Sequence, residues 1–291
     1  MGLEGAGLRL RWCSWSLIAK LCLALVVVAS ASLGARGQPA TEVRIPYVQF
    51  RPAIAFMQGR PEEGGRTAQT GELRGKLWLL PGRTPMVLLL HGCAGMQNAP
   101  TKAWIRSWGG FFRQQGYSVM ALDSFTPRGV NETCGPPDAH WSYRRRDDAY
   151  SALNWLAVLG RTDMDNVVVM GRSNGGRTVL RIMEAKMQAI RPFRFSRGIA
   201  MYPNCRNDEN TRFYAPLDVF IGAQDDANPA AFCEAMGRSG DSRVHVTIFP
   251  DTLHGFDDGS STRIDHGWRM GGNPRATEQV HRQIEAELRG G

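Results

Sequence analysis

Past its first 37 residues the 291-residue chain lacks any apolar run of membrane-spanning length, any C-x-x-C pair, any internal repeat and any low-complexity tract. The missing run excludes a later transmembrane helix. The missing cysteine pair, with no histidine cluster beside it, argues against a zinc site or a thioredoxin-like redox motif. The missing period excludes a repeat array. Charge of one sign is never gathered either: acidic residues interleave with basic ones, so a net charge of +8 leaves no clustered footprint for nucleic acid. The densest basic run, Arg144, Arg145 and Arg146, is answered at once by Asp147 and Asp148. It reads as a solvated helix start, with an anion-binding edge as the alternative. What is present is 43% hydrophobic, 21% charged and 9% aromatic residues, apolar material for one large core or two small ones. That composition excludes disorder, collagen and a small disulfide scaffold.

The first 37 residues set four basic groups, Arg9, Arg11, Lys20 and Arg36, against Glu4, so the charge without them is +5 instead of +8. Arg9 and Arg11 precede the apolar stretch from Leu21 to Ala29, and Ala29-Ser30-Ala31 offers small residues for cleavage. The expectation is a secretory signal peptide over residues 1–37, cut after Ala31 or nearer Gly37, and a secreted or periplasmic protein. The stretch is too short to span a bilayer unless it extends back past Lys20, so an uncleaved anchor is the minor alternative. Cys13 and Cys22 would leave with the signal. The four cysteines that remain, Cys93, Cys134, Cys205 and Cys233, are an even set, which favours disulfides in an oxidising compartment.

After a polar, glycine-rich stretch from Pro61 to Gly71, short apolar runs alternate with longer amphipathic ones, the rhythm of strands and crossover helices. Strands are expected at residues 77–80, 86–90, 118–122, 167–170, 198–201, 217–221 and 244–249, the first being the weakest. Helices are expected at 104–115, 147–159, 176–187, 230–236 and 277–288. The pattern predicts an α/β fold, a mostly parallel central sheet with helices on both faces, formed as one domain over residues 38–291.

The run Asn166-Val-Val-Val-Met-Gly171-Arg172-Ser173-Asn174-Gly175-Gly176 sets Gly-x-Ser-x-Gly directly after a predicted strand and before a predicted helix. In that context the match is specific, whereas a bare match is more often a cap or turn serine. A serine on so sharp a turn needs small residues two positions to either side, and the helix start aims free amides at negative charge forming beside Ser173. A serine hydroxyl is a poor nucleophile at neutral pH, so this reading requires an imidazole and an orienting carboxylate. Asp225 follows the run 217–221 in Gly222-Ala-Gln-Asp225-Asp226, at the carboxyl end of its strand. Asp226 is its rival, better suited to starting the next helix because it lies nearer Pro229. His254 lies in Asp251-Thr-Leu-His254-Gly-Phe-Asp257, just past the run 244–249, giving the order Ser173, Asp225, His254 of an α/β-hydrolase. Of the other histidines, His245 falls in a strand, His281 on a helix, and His140 and His266 in polar loops.

The oxyanion formed by attack needs preorganised donors, each worth about 3 kcal/mol of transition-state stabilisation. His91-Gly92-Cys93-Ala94-Gly95 follows the run 86–90, so the proposed donors are the backbone amides of Cys93 and Asn174, with His91 bracing the loop.

The chain from His91 onward resembles the dienelactone hydrolase family of α/β-hydrolases. The resemblance rests on Leu-Leu-His91-Gly-Cys-Ala-Gly, Ala-Leu-Asp123-Ser-Phe-Thr-Pro-Arg128-Gly, Gly171-Arg-Ser173-Asn-Gly, Tyr202-Pro-Asn-Cys205, Gly222-Ala-Gln-Asp225 and Leu-His254-Gly-Phe-Asp257. It implies Ser173, Asp225 and His254 as nucleophile, acid and base, and no cofactor. The family's namesakes carry a cysteine nucleophile where this chain has Ser173, so ordinary ester hydrolysis is expected ahead of dienelactone turnover. Arg172 replaces an aromatic residue common before the nucleophile in similar proteins, which makes the pocket rim more polar.

The four cysteines allow three connectivities. Cys93 with Cys134 and Cys205 with Cys233 are favoured because each pair joins neighbouring loops on the catalytic edge; buried reduced thiols are the alternative. Arg128 could meet an acidic substrate group or pair with a local carboxylate. Trp141 and Tyr202 could line an acyl pocket or pack beneath loops. The long, unpatterned stretches 129–143 and 257–273 are expected to shape that pocket. The function expected is a serine hydrolase of small-molecule carboxylic esters, lactones included, with no nucleic-acid partner and no membrane span once the signal is removed. The rivals are a prolyl-oligopeptidase-type peptidase, usually accompanied by a further domain, and an inactive hydrolase fold that binds without turnover.

Overall fold

A computed structural model describes residues 39–50, 68–134 and 140–290. The expected signal peptide therefore lies outside the described residues. Pro39–Gly291 cluster as one unit, and no described helix is long and apolar enough to cross a membrane.

Its centre is a run of parallel strands, β3 (Thr84–Leu90), β4 (Ser118–Asp123), β5 (Thr162–Arg172), β6 (Arg197–Met201) and β7 (Leu217–Gly222), largely buried, with β8 (Val244–Phe249) as the partly exposed last strand. All of Met86 to Leu90 and of Val167 to Met170 are buried, which is why these strands read as unbroken hydrophobic runs. Helices α1 (Ala99–Gln114), α2 (His140–Leu159), α3 (Asn174–Met183), α4 (Ala230–Gly237) and α5 (Pro274–Arg289) connect or follow them. Asn98 caps α1 by accepting from the Thr101 amide, and Pro100 sits in the first turn, where its missing N–H is no loss; the helix thus begins five residues before the expected start. Helix α3 ends at Met183, four residues early. The chain continues there as a 3-10 turn, Ala185–Ala189, with the Glu184 side chain held by Arg181 and Lys186.

The sheet order is β1-β2-β4-β3-β5-β6-β7-β8. Strands β1 (Thr41–Phe50) and β2 (Ala68–Trp78) pair antiparallel with each other, and β2 pairs antiparallel with β4. The expected strand 77–80 is thus the end of a much longer one, and β1 was not foreseen. Pro46 in β1 is tolerated because β1 is the outermost strand of the sheet. The stretch 257–273, expected to be unpatterned, contains a hairpin of β9 (Arg263–Asp265) and β10 (Trp268–Met270). Because β3 and β5 to β8 run parallel, the residues that follow them all emerge along one edge of the sheet.

Candidate active site

Ser173 occupies the turn between β5 and α3 with φ 52° and ψ −117°, a strained conformation for a residue with a side chain. Its amide donates to the Met201 carbonyl at 2.9 Å, which fixes the turn on the neighbouring strand. Space explains the flanking glycines. A Cβ on Gly171 would run into the Gly175 carbonyl, and one on Gly175 would run into the carbonyls of Leu90 and His91.

His254, on the loop after β8, meets both partners the sequence assigned to it. With its proton on Nδ1 it donates to Asp225 Oδ2 at 2.7 Å, leaving Nε2 to accept from Ser173 Oγ at 3.0 Å. Asp225 and His254 are buried, and Asp225 Oδ1 also accepts the Asn228 amide at 2.7 Å. Asp226 faces away and accepts from the Arg269 amide and Nε at 3.0 and 3.1 Å.

Asn174 is the first residue of α3, so its amide has no acceptor within the helix, and Cys93 lines the same cavity as Ser173. A disulfide joins Cys93 to Cys134, and the Cys93 carbonyl accepts the Thr133 amide at 2.8 Å, so two loops brace each other there. A second disulfide joins Cys205 to Cys233 on α4. Glu132, Cys134 and His266 place possible metal-ligand atoms within 4.8 Å of one another, but the Cys134 sulfur is committed to Cys93 and cannot act as a thiolate ligand.

The floor of the turn corrects one expectation. Arg145 is not solvated: it is fully buried, and its guanidinium donates to Asn174 Oδ1 at 2.5 Å and to the His91 carbonyl at 2.6 Å. Burial pulls its pKa down to about 9 against the opposing pull of Asp148 and Asp123. His91 is buried too, with Nδ1 donating to the Gly92 carbonyl at 2.7 Å and its ring against Phe125. Burial first, then Arg145, holds this imidazole well below the ordinary histidine pKa, so it is neutral and braces the loop.

Ser173 opens on a small cavity that His254 and Cys93 also line. Of the three substrate-contact candidates, Tyr202 lines it. Arg128 does not: it forms a two-pronged pair with Asp148 at 2.7 and 2.9 Å and donates to the Ser124 carbonyl at 2.6 Å, the local pairing that was its alternative. Trp141 packs on Phe125 with ring centres 4.9 Å apart, beneath the loops and away from the cavity. Arg172, in contrast, lines the cavity while almost wholly buried. Its Nη1 has no hydrogen-bond partner, and the guanidinium lies over the Trp104 ring at 5.7 Å. The stretch 257–273 shapes the pocket as expected, although its hairpin form was not foreseen. Arg263, Asp265, His266, Trp268 and Met270 of the β9–β10 hairpin close the cavity, and the Gly271 amide donates to the His254 carbonyl at 3.2 Å. Three-residue strands carry too short a pattern to be read in advance.

No protein-family profile matches the chain. Among solved structures it is similar to a provisionally assigned dienelactone hydrolase of Klebsiella pneumoniae, with TM-score 0.57, 14% identity, and coverage of 84% of this chain and 98% of that one. It is also similar to esterase 2 of Thermogutta terrifontis. With propionate bound, that enzyme gives TM-score 0.53 and 17% identity over 75% of this chain and 89% of that one; phosphonylated by cyclosarin, it gives 0.53 and 17% over 75% and 88%. A curated relative, dipeptidyl aminopeptidase BIII of Pseudoxanthomonas mexicana, is 27% identical over 97 residues, which span 33% of this chain and 14% of that protein. At these identities the likeness establishes the fold, that of an α/β-hydrolase.

Proposed function

On the α/β-hydrolase fold just established, we propose that this protein is a serine hydrolase of carboxylic esters, lactones among them, working through an acyl-enzyme. The observation that carries this reading is one unbroken chain of contacts, Ser173 Oγ to His254 Nε2 and His254 Nδ1 to Asp225, at the mouth of a cavity. Ser173 Oγ attacks the ester carbonyl as His254 takes its proton, and Asp225 holds the imidazolium in its tautomer. The amides of Cys93 and Asn174 receive the oxyanion. His254 returns the proton to the departing alkoxide, then activates water to release the acid. A serine nucleophile with an imidazole base suits ordinary esters, and this favours them over the dienelactones for which the family that the chain resembles is known. Two disulfides support an oxidising, extracytoplasmic location behind a cleaved leader.

The match to a dipeptidyl aminopeptidase favours a second reading, amide cleavage by the same three residues. Initial rates on a short-chain p-nitrophenyl ester and on an aminoacyl p-nitroanilide separate the two. The ester reading expects ready turnover of the first and little of the second; the reverse order would establish the peptidase, and turnover of neither would defeat both.

A further inference from the structure

Ester chemistry by these three residues leaves one buried carboxylate without a role. Asp257, three residues beyond His254 on the same loop, accepts three hydrogen bonds from neutral donors. Trp104 and Trp108 each donate Nε1–H to Oδ2 at 2.8 Å, and Tyr202 donates its hydroxyl to Oδ1 at 2.7 Å. Burying a carboxylate is costly even when it is hydrogen-bonded, and a neutral acceptor would tether the loop to α1 without that cost.

The third donor leads to the candidate base. The edge of the Tyr202 ring meets the His254 ring at 4.7 Å with the planes 69° apart. Tyr202 sits just past β6 in the left-handed region, φ 37°, so its backbone is held in a specific pose. Its carbonyl accepts Asn228 Nδ2 at 2.9 Å, and the Asn228 amide donates to Asp225 Oδ1 at 2.7 Å. Asp225, His254, Tyr202 and Asn228 thus close a ring of contacts, and Asp257 fixes the hydroxyl end of the one aromatic member. Burial and the Asp257 charge together hold the Tyr202 hydroxyl well above the usual phenol pKa, so it stays a donor throughout the working pH range.

We infer that Asp257 is a positioning residue for His254: it locks the Tyr202 ring against the imidazole and sets a negative charge behind it that favours the imidazolium. The inference rests on the ester-hydrolase reading. Among the described residues no cation forms an ion pair with Asp257. Arg172, at the end of β5, lies over the Trp104 ring and opposes the Asp257 charge at Tyr202, and its Nη1 has no hydrogen-bond partner among the described residues. Asp258, on the same loop, is paired with Arg263 at 3.0 Å. His281 on α5, whose ring meets Trp108, has its pKa lowered by burial and adds no charge at neutral pH. His254 itself faces Ser173, Asp225 and Tyr202.

The test is the pH dependence of kcat and KM on a short-chain p-nitrophenyl ester for the full chain, Asp257→Asn and Tyr202→Phe. Asp257→Asn is expected to lower kcat about tenfold with KM changed less than about twofold, and to move the acid limb of kcat/KM down by roughly half a pH unit to one unit, since a charge favouring imidazolium is gone. Tyr202→Phe keeps the charge and both indole donors. It is expected to lower kcat about fivefold and leave the limb in place. An Asp257→Asn variant with an unmoved limb and a kcat loss no larger than its loss of folded protein overturns the inference. Should that variant fail to fold, an unchanged kcat in folded Tyr202→Phe overturns it equally. A natural protein that turns over no ester defeats the hydrolase reading and this inference with it, whereas an active natural protein with two wild-type-like variants defeats this inference alone.

Discussion

The floor beneath Ser173 and the rim above it use the same residue types in opposite ways. In the floor, Arg145 is fully buried and gives its guanidinium to Asn174 and to the His91 carbonyl, while His91 is kept neutral by burial. In the rim, Arg263, His266 and Arg269 have side chains 30%, 34% and 52% exposed and pair with Asp258, Glu132 and Asp226 at distances from 3.0 to 3.4 Å. An exposed pair is worth about 0–1 kcal/mol, whereas a buried acceptor that loses its donor costs about 1–3 kcal/mol. The floor is therefore over-determined and fixes where charge is met. The rim is cheap to alter, and under the proposed function it should select what reaches Ser173.

Breaking the floor at its centre has the largest expected effect. Ser173→Ala and His254→Ala should each lower kcat/KM on a short-chain ester by about 10⁴-fold to 10⁶-fold, and Asp225→Asn by about 10⁴-fold. Asp226→Asn, one residue along but paired only with half-exposed Arg269, should stay within about threefold. Equal losses from the two aspartates would erase the distinction between buried acid and surface pair.

One layer down, Arg145→Met strips the donors from Asn174 Oδ1 and the His91 carbonyl. Urea unfolding should show a loss of about 3 kcal/mol. A loss under about 0.5 kcal/mol would mean the floor is no better determined than the rim.

Acid should loosen the floor before the rim. His91 has a folded-state pKa below its unfolded value of about 6.5, so below that pH the unfolded chain takes up a proton that the fold refuses. The stability present above pH 6.5 is then lost as pH falls, by at most about 1.4 kcal/mol per unit. Thermal unfolding at pH 7.5 and 5.5 should show this slope, and His91→Asn should flatten it, with His281 acting in the same direction as His91. An unchanged slope in His91→Asn would show that the histidine is not the titrating group.

The smallest effect is expected at the rim. His266→Ala or Glu132→Ala should cost under about 1 kcal/mol of stability yet change relative KM across acyl chain lengths by a few-fold, read from a p-nitrophenyl ester series. Uniform KM values across that series would remove the hairpin from substrate selection.

This contrast also explains what could be read from the chain. Ser173 and Asp225 were legible because each follows a strand whose buried apolar run marks where the chain emerges at the carboxyl edge, and His254 because it follows the alternating run of the last strand at that same edge. The parallel strands were found for the same reason. The pair β1 and β2 escaped because charged residues and Pro46 interrupt the alternation of an outer strand. Arg145 was misread because three successive arginines look alike in sequence, while helical geometry turns neighbours about 100° apart and brings only the middle one under the Ser173 turn. The partner of Arg128 lies 20 residues away on α2, a separation that gives no signal of its own. The cysteine spacings fit three connectivities, and loop proximity favoured the one that the fold contains.

The central claim is that Ser173 is the hydroxyl made nucleophilic by His254. It is tested most directly by treating the natural protein and His254→Ala with a fluorophosphonate and locating the adduct by peptide mass spectrometry. The account predicts one adduct, on the peptide carrying Ser173, formed rapidly in the natural protein and absent from the variant under the same conditions. An adduct on a different serine, or equal labelling of Ser173 without the histidine, would contradict it.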